Sequence, residues 1–453
     1  MQKRAGLAGQ VPMNAASKSV LRVVFVTLFL DLVGFSIIFP LFPSMLEHYL
    51  LHEGHSGLFG KMLRGIELFS ESAGAGPGGT VVLFGGLLGS LYSLLQFLFA
   101  PVMGSLSDRY GRRPVLLVSV AGLALSYLLW FFSETFLMLV AARLIGGIMS
   151  GNISTATAVV ADVTTDEERP KGMALIGIAF GIGFILGPAL GGISALLDLT
   201  KHWPGLVVYG VNPFSVPALV AFLLSVGNLI FVATNFRETL PKDSVARNRP
   251  MRTVNPLKLF HGETYPGVTR TNFAYFLFLS AFSGTEFALT FLAADRFGYG
   301  PLGNALMLLF VGVVLAGMQG TYVQRKSAVI GAKRMSVHGL FMAIPGLVLV
   351  GFAPHPLVLY VGLFFMAAGS AQVIPCMTAL ASLYTPADAQ GRVLGVFRSL
   401  GALARALGPL IACMVYWRLG PAVTYYVVAV FLAVPLIIAQ SLPQPGGTLA
   451  QDR

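Results

Sequence analysis

A helix that crosses hydrocarbon needs roughly 20 apolar residues at about 1.5 Å rise each, and this chain offers runs of that kind repeatedly between residues 21 and 438. Hydrocarbon holds no water for the backbone to bond, so such runs must satisfy their N–H and C=O groups internally, as helices. A soluble domain is excluded by composition: 55% of the 453 residues are hydrophobic and only 11% are charged, where a water-soluble domain carries roughly a quarter charged residues.

Reading apolar runs between charged or turn-rich breaks places six helices at 21–46, 81–102, 114–132, 136–159, 173–196 and 214–234, and six more at 273–294, 305–323, 337–352, 357–380, 393–415 and 423–438. The segment at 337–352 is one of the two shortest. The expectation is an all-α membrane protein of twelve transmembrane helices in two six-helix pseudo-repeats, 21–236 and 270–442. A basic, proline-containing linker at 237–269 joins them, with tails at 1–20 and 443–453. A glycine-rich stretch (Gly74, Gly76, Gly78, Gly79) follows a short amphipathic helix read at 58–69.

The net charge of +11 points in a soluble protein to nucleic acid or another anionic partner, but its distribution here points to topology. With the N-terminus cytoplasmic, 22 of the 30 Lys and Arg fall on the cytoplasmic side, 5 on the far side and 3 inside helices, which is the positive-inside pattern. Both termini are expected in the cytoplasm, in the plasma membrane or an intracellular one. The first span, behind Lys3, Arg4, Lys18 and Arg22, reads as a retained anchor and not a cleaved signal peptide. Cys376 and Cys413 fall within spans, so neither a disulfide scaffold nor a zinc site is expected. The sequon at Asn152-Ile153-Ser154 lies in a span, out of reach of glycosylation.

The halves echo one another. Gly187-Pro188 in the fifth span and Gly408-Pro409 in the eleventh occupy matching places, each behind a polar, turn-like segment (162–169 and 385–392). Parallel repeats of this kind place a site near the midplane, between halves that rock.

The most specific run is the connection between the second and third spans, Gly104-Ser105-Leu106-Ser107-Asp108-Arg109-Tyr110-Gly111-Arg112-Arg113-Pro114, read as a loop. Glycine permits a tight turn and close helix approach. Asp108, Arg109, Arg112 and Arg113 can form charged contacts beneath the bundle that hold one face shut until they break. This run resembles the signature loop of the major facilitator superfamily, Gly-x-x-x-Asp-Arg-x-Gly-Arg-Arg, whose fold is two six-helix halves. The second-half counterpart, Gly320 through Arg325 to Gly331, Lys333 and Arg334, is degenerate.

Further motifs follow from that resemblance. In the fifth span Gly177, Gly181, Gly183, Gly187, Pro188, Gly191 and Gly192 are similar to the family's antiporter motif, with generic tight packing as the alternative, since small residues let membrane helices touch. Arg143-Leu144-Ile145-Gly146-Gly147 in the fourth resembles its buried arginine motif. Asp31 in the first span lies at similar depth, and intramembrane charges are usually functional or paired. If Asp31 and Arg143 pair, Asp31 is a candidate proton carrier tuned by Arg143, and a fixed structural pair is the alternative.

Within the superfamily the chain is similar to the tetracycline-resistance branch. The run at 397–409, FRSLGALARALGP, resembles the eleventh helix of a vertebrate member of that branch, which implies transport of amphipathic organic anions. Arg398 and Arg405 supply a separate physical reason: seven residues apart, they fall on one helix face about 10 Å apart along the axis. The first half has Gly177 and Phe184 at the matching positions. Arg398 can instead snorkel to the membrane surface. Glu286 in the seventh span is a candidate to neutralise an arginine, take a proton, or do both in turn; a permanent salt bridge to Arg405 is the alternative. Gln96, Asn152, Gln319 and Gln372 are polar groups on spans that can orient a substrate or bridge helices, and Gln96 and Gln372 are taken with the substrate group.

No phosphate-binding glycine loop, nucleophile–base spacing or metal-ligand cluster supports an enzyme. The expectation is a monomeric secondary transporter without cofactor or metal. It exchanges an organic anion for protons by alternating access, with lipid around it and no nucleic-acid partner. Two alternatives stand beside this: an exporter of drugs or amphipathic cations, and a non-transporting lipid-binding or scaffold protein on the same fold.

Overall fold

The computed structural model describes residues 15–54, 80–165, 169–240, 265, 267–386 and 390–444, with 60–62, 64, 65 and 68 between the first two helices. Twelve helical segments are long and apolar enough to cross a membrane: Ser17–Glu53, Val81–Tyr110, Arg112–Phe131, Phe136–Val163, Leu175–His202, Ser215–Asn235, Val268–Phe297, Pro301–Ser327, Ala332–Phe352, Pro356–Leu383, Val393–Leu419 and Pro421–Gln440. The ninth, one of the two shortest on sequence grounds, is a full 21-residue helix. Most of the expected helix at 58–69, the glycine-rich run behind it and most of the linker lie outside the described residues.

One sequence expectation is corrected. The second helix does not end near residue 102; it continues through Pro101 to Tyr110, so Gly104 to Tyr110 are helical and the turn is confined to Gly111 at φ +102°. Only glycine adopts that conformation without strain.

Several helices are interrupted inside their spans, among them the twelfth at Leu432. The first runs as Ala15–Ser36, a 3₁₀ turn at Phe39–Leu41 and Phe42–Glu53, because Pro40 and Pro43 remove two backbone donors. The fourth breaks into Phe136–Met149 and Asn152–Val163 at Ser150-Gly151, a residue pair at which kinks recur. The eighth passes through a π turn at Gln319–Val323.

In the first half the first helix packs on the fifth, the third on the sixth and the second on the fourth; in the second half the seventh packs on the eleventh and the ninth on the tenth. Glycine sets how close they come. A Cβ on Gly346 would lie 2.8 Å from the Gly362 carbonyl oxygen, and one on Gly339 would lie 2.6 Å from that of Gly369. Ninth and tenth helices therefore meet backbone to backbone at points seven residues apart. The halves join through the second helix on the eleventh and the fifth on the eighth. One apolar core, including Ile38, Phe42 and Leu46 of the first half and Phe278, Phe287 and Phe291 of the second, runs across that junction.

Candidate functional site

The junction is tight at one end of the bundle and parted at the other. At the end away from the Tyr110-Gly111 turn, a Cβ on Gly192 of the fifth helix would lie 2.9 Å from the Pro301 oxygen of the eighth, and one on Gly86 of the second 3.0 Å from the Pro409 oxygen of the eleventh. Asn304 donates to the Pro40 oxygen (3.4 Å) freed by the interrupted first helix and to the Thr290 oxygen (3.2 Å), stitching both halves together. The Phe42 and Phe287 rings pack across the halves at 5.0 Å. Towards the basic end, Gly177, Gly181, Gly317 and Gly320 have no atom within 4 Å of a built Cβ. The glycines expected as an antiporter motif therefore divide. Gly183, Gly187 and Gly191 receive the first helix, with the Val33 oxygen 2.7 Å from a Cβ on Gly187, and Gly192 receives the eighth. Buried Pro188 lies among them.

Both arginines of the eleventh helix reach across this opening to the fifth. Arg398 donates to Met173 at the sulfur (3.3 Å) and the backbone oxygen (3.4 Å), and the Arg405 guanidinium lies 5.5 Å from the Phe180 ring centroid. Met173 and Phe180 are themselves seven residues apart, so the two stripes match. Among the described residues neither arginine makes an ion pair. Glu286 stands within electrostatic reach of Arg405 without forming the salt bridge given above as the alternative, and Tyr275, stacked on Phe397 at 3.9 Å, is in reach of both arginines. The site thus holds two cations and one carboxylate, none in ion-pair contact.

An aromatic wall that the sequence reading missed borders this space. Phe35 and Phe39 of the first helix meet Phe184 of the fifth, each pair with ring centroids 5.9 Å apart, and Phe39 meets Phe287 at 6.4 Å. The available signal was the pairing of phenylalanines at i and i+4 in both helices (35/39 and 180/184), which puts two rings on one face.

Asp31 and Arg143, whose pairing the sequence left open, have separate partners. Asp31 accepts hydrogen bonds from Asn152 of the fourth helix (2.7 Å) and Asn228 of the sixth (2.9 Å). Arg143, 3% exposed, lies between the Tyr92 and Trp130 rings at 5.1 and 5.5 Å, and its Nε has no hydrogen-bond partner. The fourth-helix break separates Arg143 from Asn152, so one helix serves both charges with different chemistry. Gln96, placed with the substrate group on sequence grounds, donates to the Ser150 oxygen at that break (3.4 Å). Gln372 is 3% exposed and its amide is occupied by the Ala368 oxygen (3.2 Å) and the Met342 sulfur (3.7 Å), so the structure does not bring it to the arginines.

At the basic end Arg112 is the hub. It bonds Asp108 (2.6 Å), Ser107 (2.6 Å) and Asp162 of the fourth helix (2.9 Å). Arg113 donates to the Ala233 oxygen, while Arg109 packs on Tyr110. Gly104 meets Ser154 of the fourth helix. Sequence reading missed Asp162 as a partner and also Glu238, whose carboxylate accepts the backbone N–H groups of Arg112 (2.9 Å) and Arg113 (3.0 Å). All these contacts lie within the first half and the start of the linker, and the Asp108 side chain is 43% exposed.

A family model described as Major Facilitator Superfamily matches residues 24–409 and 323–447. Major facilitator superfamily domain-containing protein 10 of Bos taurus is 37% identical over 461 residues, covering 97% of this chain and 96% of that protein. The class B tetracycline resistance protein of Escherichia coli is 26% identical over 449 residues, covering 96% and 98%. Among solved structures, the human organic anion transporter MFSD10 is 34% identical, covers 94% of this chain and 100% of its own, and superposes with a TM-score of 0.73.

Proposed function

Because the chain belongs to the Major Facilitator Superfamily and is a multi-pass membrane transporter of that fold, we propose that it exchanges amphipathic organic anions for protons by alternating access. The observation that carries this reading is the pair Arg398 and Arg405, which face the fifth helix across the parted junction without an acidic partner in contact. A buried cation resting on a thioether, a backbone oxygen and an aromatic face makes weaker contacts than it would with an anion, which adds full charge–charge attraction in a poorly screened site and accepts two guanidinium N–H groups at once. The phenylalanine wall accommodates the apolar body of such a substrate. The printed description of the 34% identical human structure as an organic anion transporter is in keeping with this.

Glu286 beside Arg405 supplies the competition that exchange requires, because a ligand shifts an equilibrium only through its differential affinity for the two states. Substrate on Arg405 and a proton on Glu286 relieve the same attraction. Asp31 is the second candidate proton carrier and Arg143 its neighbour in the first half. The Asp108–Arg112–Asp162 cluster belongs to the closure of the basic end, with the halves at 21–236 and 270–442 moving about the junction and both termini in the cytoplasm. Buried acids in both halves favour one rival, export of an amphipathic cation, as the tetracycline-resistance relatives also suggest. The test is flux of naphthalene-2-sulfonate, whose charge does not change with pH, into vesicles holding the purified protein. Loss of flux in Arg405→Ala supports the anion reading, and undiminished flux removes it.

A further inference from the structure

Two amides hold the first-half carboxylate from different helices, and both are buried: Asn152 is 1% exposed and Asn228 0%. Asn152 Nδ2 donates to one Asp31 oxygen (2.7 Å) and Asn228 Nδ2 to the other (2.9 Å). The Asn228 amide also donates to the Thr27 backbone oxygen (3.2 Å), an acceptor only, which fixes which end of that amide faces the carboxylate. Asn152 is fixed by its place as first residue of the half-helix after the fourth-helix break, where a Cβ on Gly151 would lie 3.0 Å from the Phe99 backbone.

An ionised carboxylate offers lone pairs on both oxygens, whereas a protonated one must turn an O–H away from a facing N–H. Both contacts therefore bind the ionised form better than the protonated one. The other titratable groups facing Asp31 are Tyr92 of the second helix and Tyr127 of the third, and Arg143 of the fourth lies behind them, in reach of both tyrosines. The stretch of the fifth helix against it, Gly183 to Gly187, brings no titratable group, and the sixth brings only Asn228. From this geometry we infer that Asn152 and Asn228 are positioning residues that set the pH at which Asp31 takes up and releases its proton. The inference rests on the reading of Asp31 as a proton carrier.

The test is an infrared titration of the purified full-length protein in lipid, following the band of a protonated carboxylic acid that disappears in Asp31→Asn. Removing either donor, in Asn152→Ala or Asn228→Ala, is expected to raise the midpoint of that band by about 1–2 pH units, the size of one lost hydrogen bond to an ionised group. Asn152→Leu, similar in volume and without a donor, gives the same shift if the alanine variant does not fold; Asn152→Ser, which keeps a donor, moves the midpoint back towards the parent. A midpoint that stays put in folded donor-free variants overturns the inference, as does the absence of any Asp31 band at every pH. Neither readout needs a substrate. Pair it with pH-driven flux in Asp31→Asn, and intact flux removes the coupling role of Asp31 while the midpoint shift is judged separately.

Discussion

A β-branched side chain added at the two ends of the fifth helix should oppose different states of the two halves: at Gly192 the arrangement seen here, at Gly177 only its alternative. In Gly192→Val the new Cβ lies 2.9 Å from the Pro301 oxygen and 3.3 Å from the Leu302 Cα. Carbon contacts settle at about 3.5–4.0 Å; the nearest neighbour of all is the Ala305 Cβ, which is fixed to its backbone, and the other two are backbone atoms, so the eighth helix itself must retreat. Overpacking of this kind costs about 1–3 kcal/mol. Every neighbour in contact belongs to the second half, so the cost falls on the state closed at that end and shifts the equilibrium towards the opposite state by roughly 5- to 150-fold. In Gly177→Val, by contrast, the new atom has open space and penalises only a state in which the basic end closes.

Spin labels can report this at exposed positions: Leu51 and Leu419 at one end (76% and 51% exposed), Tyr110 and Val329 at the other (59% and 81%). Pulsed distance measurements should show the first pair lengthening and the second shortening in Gly192→Val, with Gly177→Val holding the parent distances. Identical distributions in both folded variants would refute the idea that the fifth helix closes against the eighth in alternation.

Two further outcomes follow from packing and capping. Gly346→Leu places a branched side chain against the Met366 nitrogen and Gly362 oxygen of the tenth helix and should lower the yield and thermal stability of folded protein by about 1–3 kcal/mol or more; Gly227→Leu, exposed with nothing within 4 Å, should be tolerated, and equal losses in the two would contradict the backbone-contact account. Glu238→Ala leaves the first N–H groups of the third helix without their acceptor and should cost roughly 0.5–2 kcal/mol, read as a lowered unfolding temperature that Glu238→Gln restores in part.

Length and polarity made the membrane spans legible, because a lipid-crossing helix has a fixed apolar demand. Where a span ends was less so. Ser105, Ser107 and Asp108 look like turn residues, yet Gly111 alone carries the left-handed backbone, and the helix runs on to it. Sequence also picked out the buried charges at Asp31, Arg143, Glu286, Arg398 and Arg405 but not what each touches. Partner choice depends on how neighbouring helices are rotated, and no single-helix periodicity carries that. Asp31 and Arg143 sit at similar depth, but the break at Ser150-Gly151 presents Asn152 to Asp31 and leaves Arg143 between two rings. Asn228 was indistinguishable from any other polar residue in an apolar span, and Glu238 lies just past a helix end, where its two backbone bonds have no sequence signature.

If charges facing the parted junction exchange an organic anion for protons, flux of that anion must follow a pH gradient. In vesicles with an acidic interior and clamped membrane potential, naphthalene-2-sulfonate should accumulate above its external concentration. Accumulation should vanish in Arg405→Ala, while Glu286→Gln should still exchange labelled for unlabelled anion yet ignore the pH gradient. Flux indifferent to the gradient in the parent protein, or accumulation surviving in Arg405→Ala, would contradict the account.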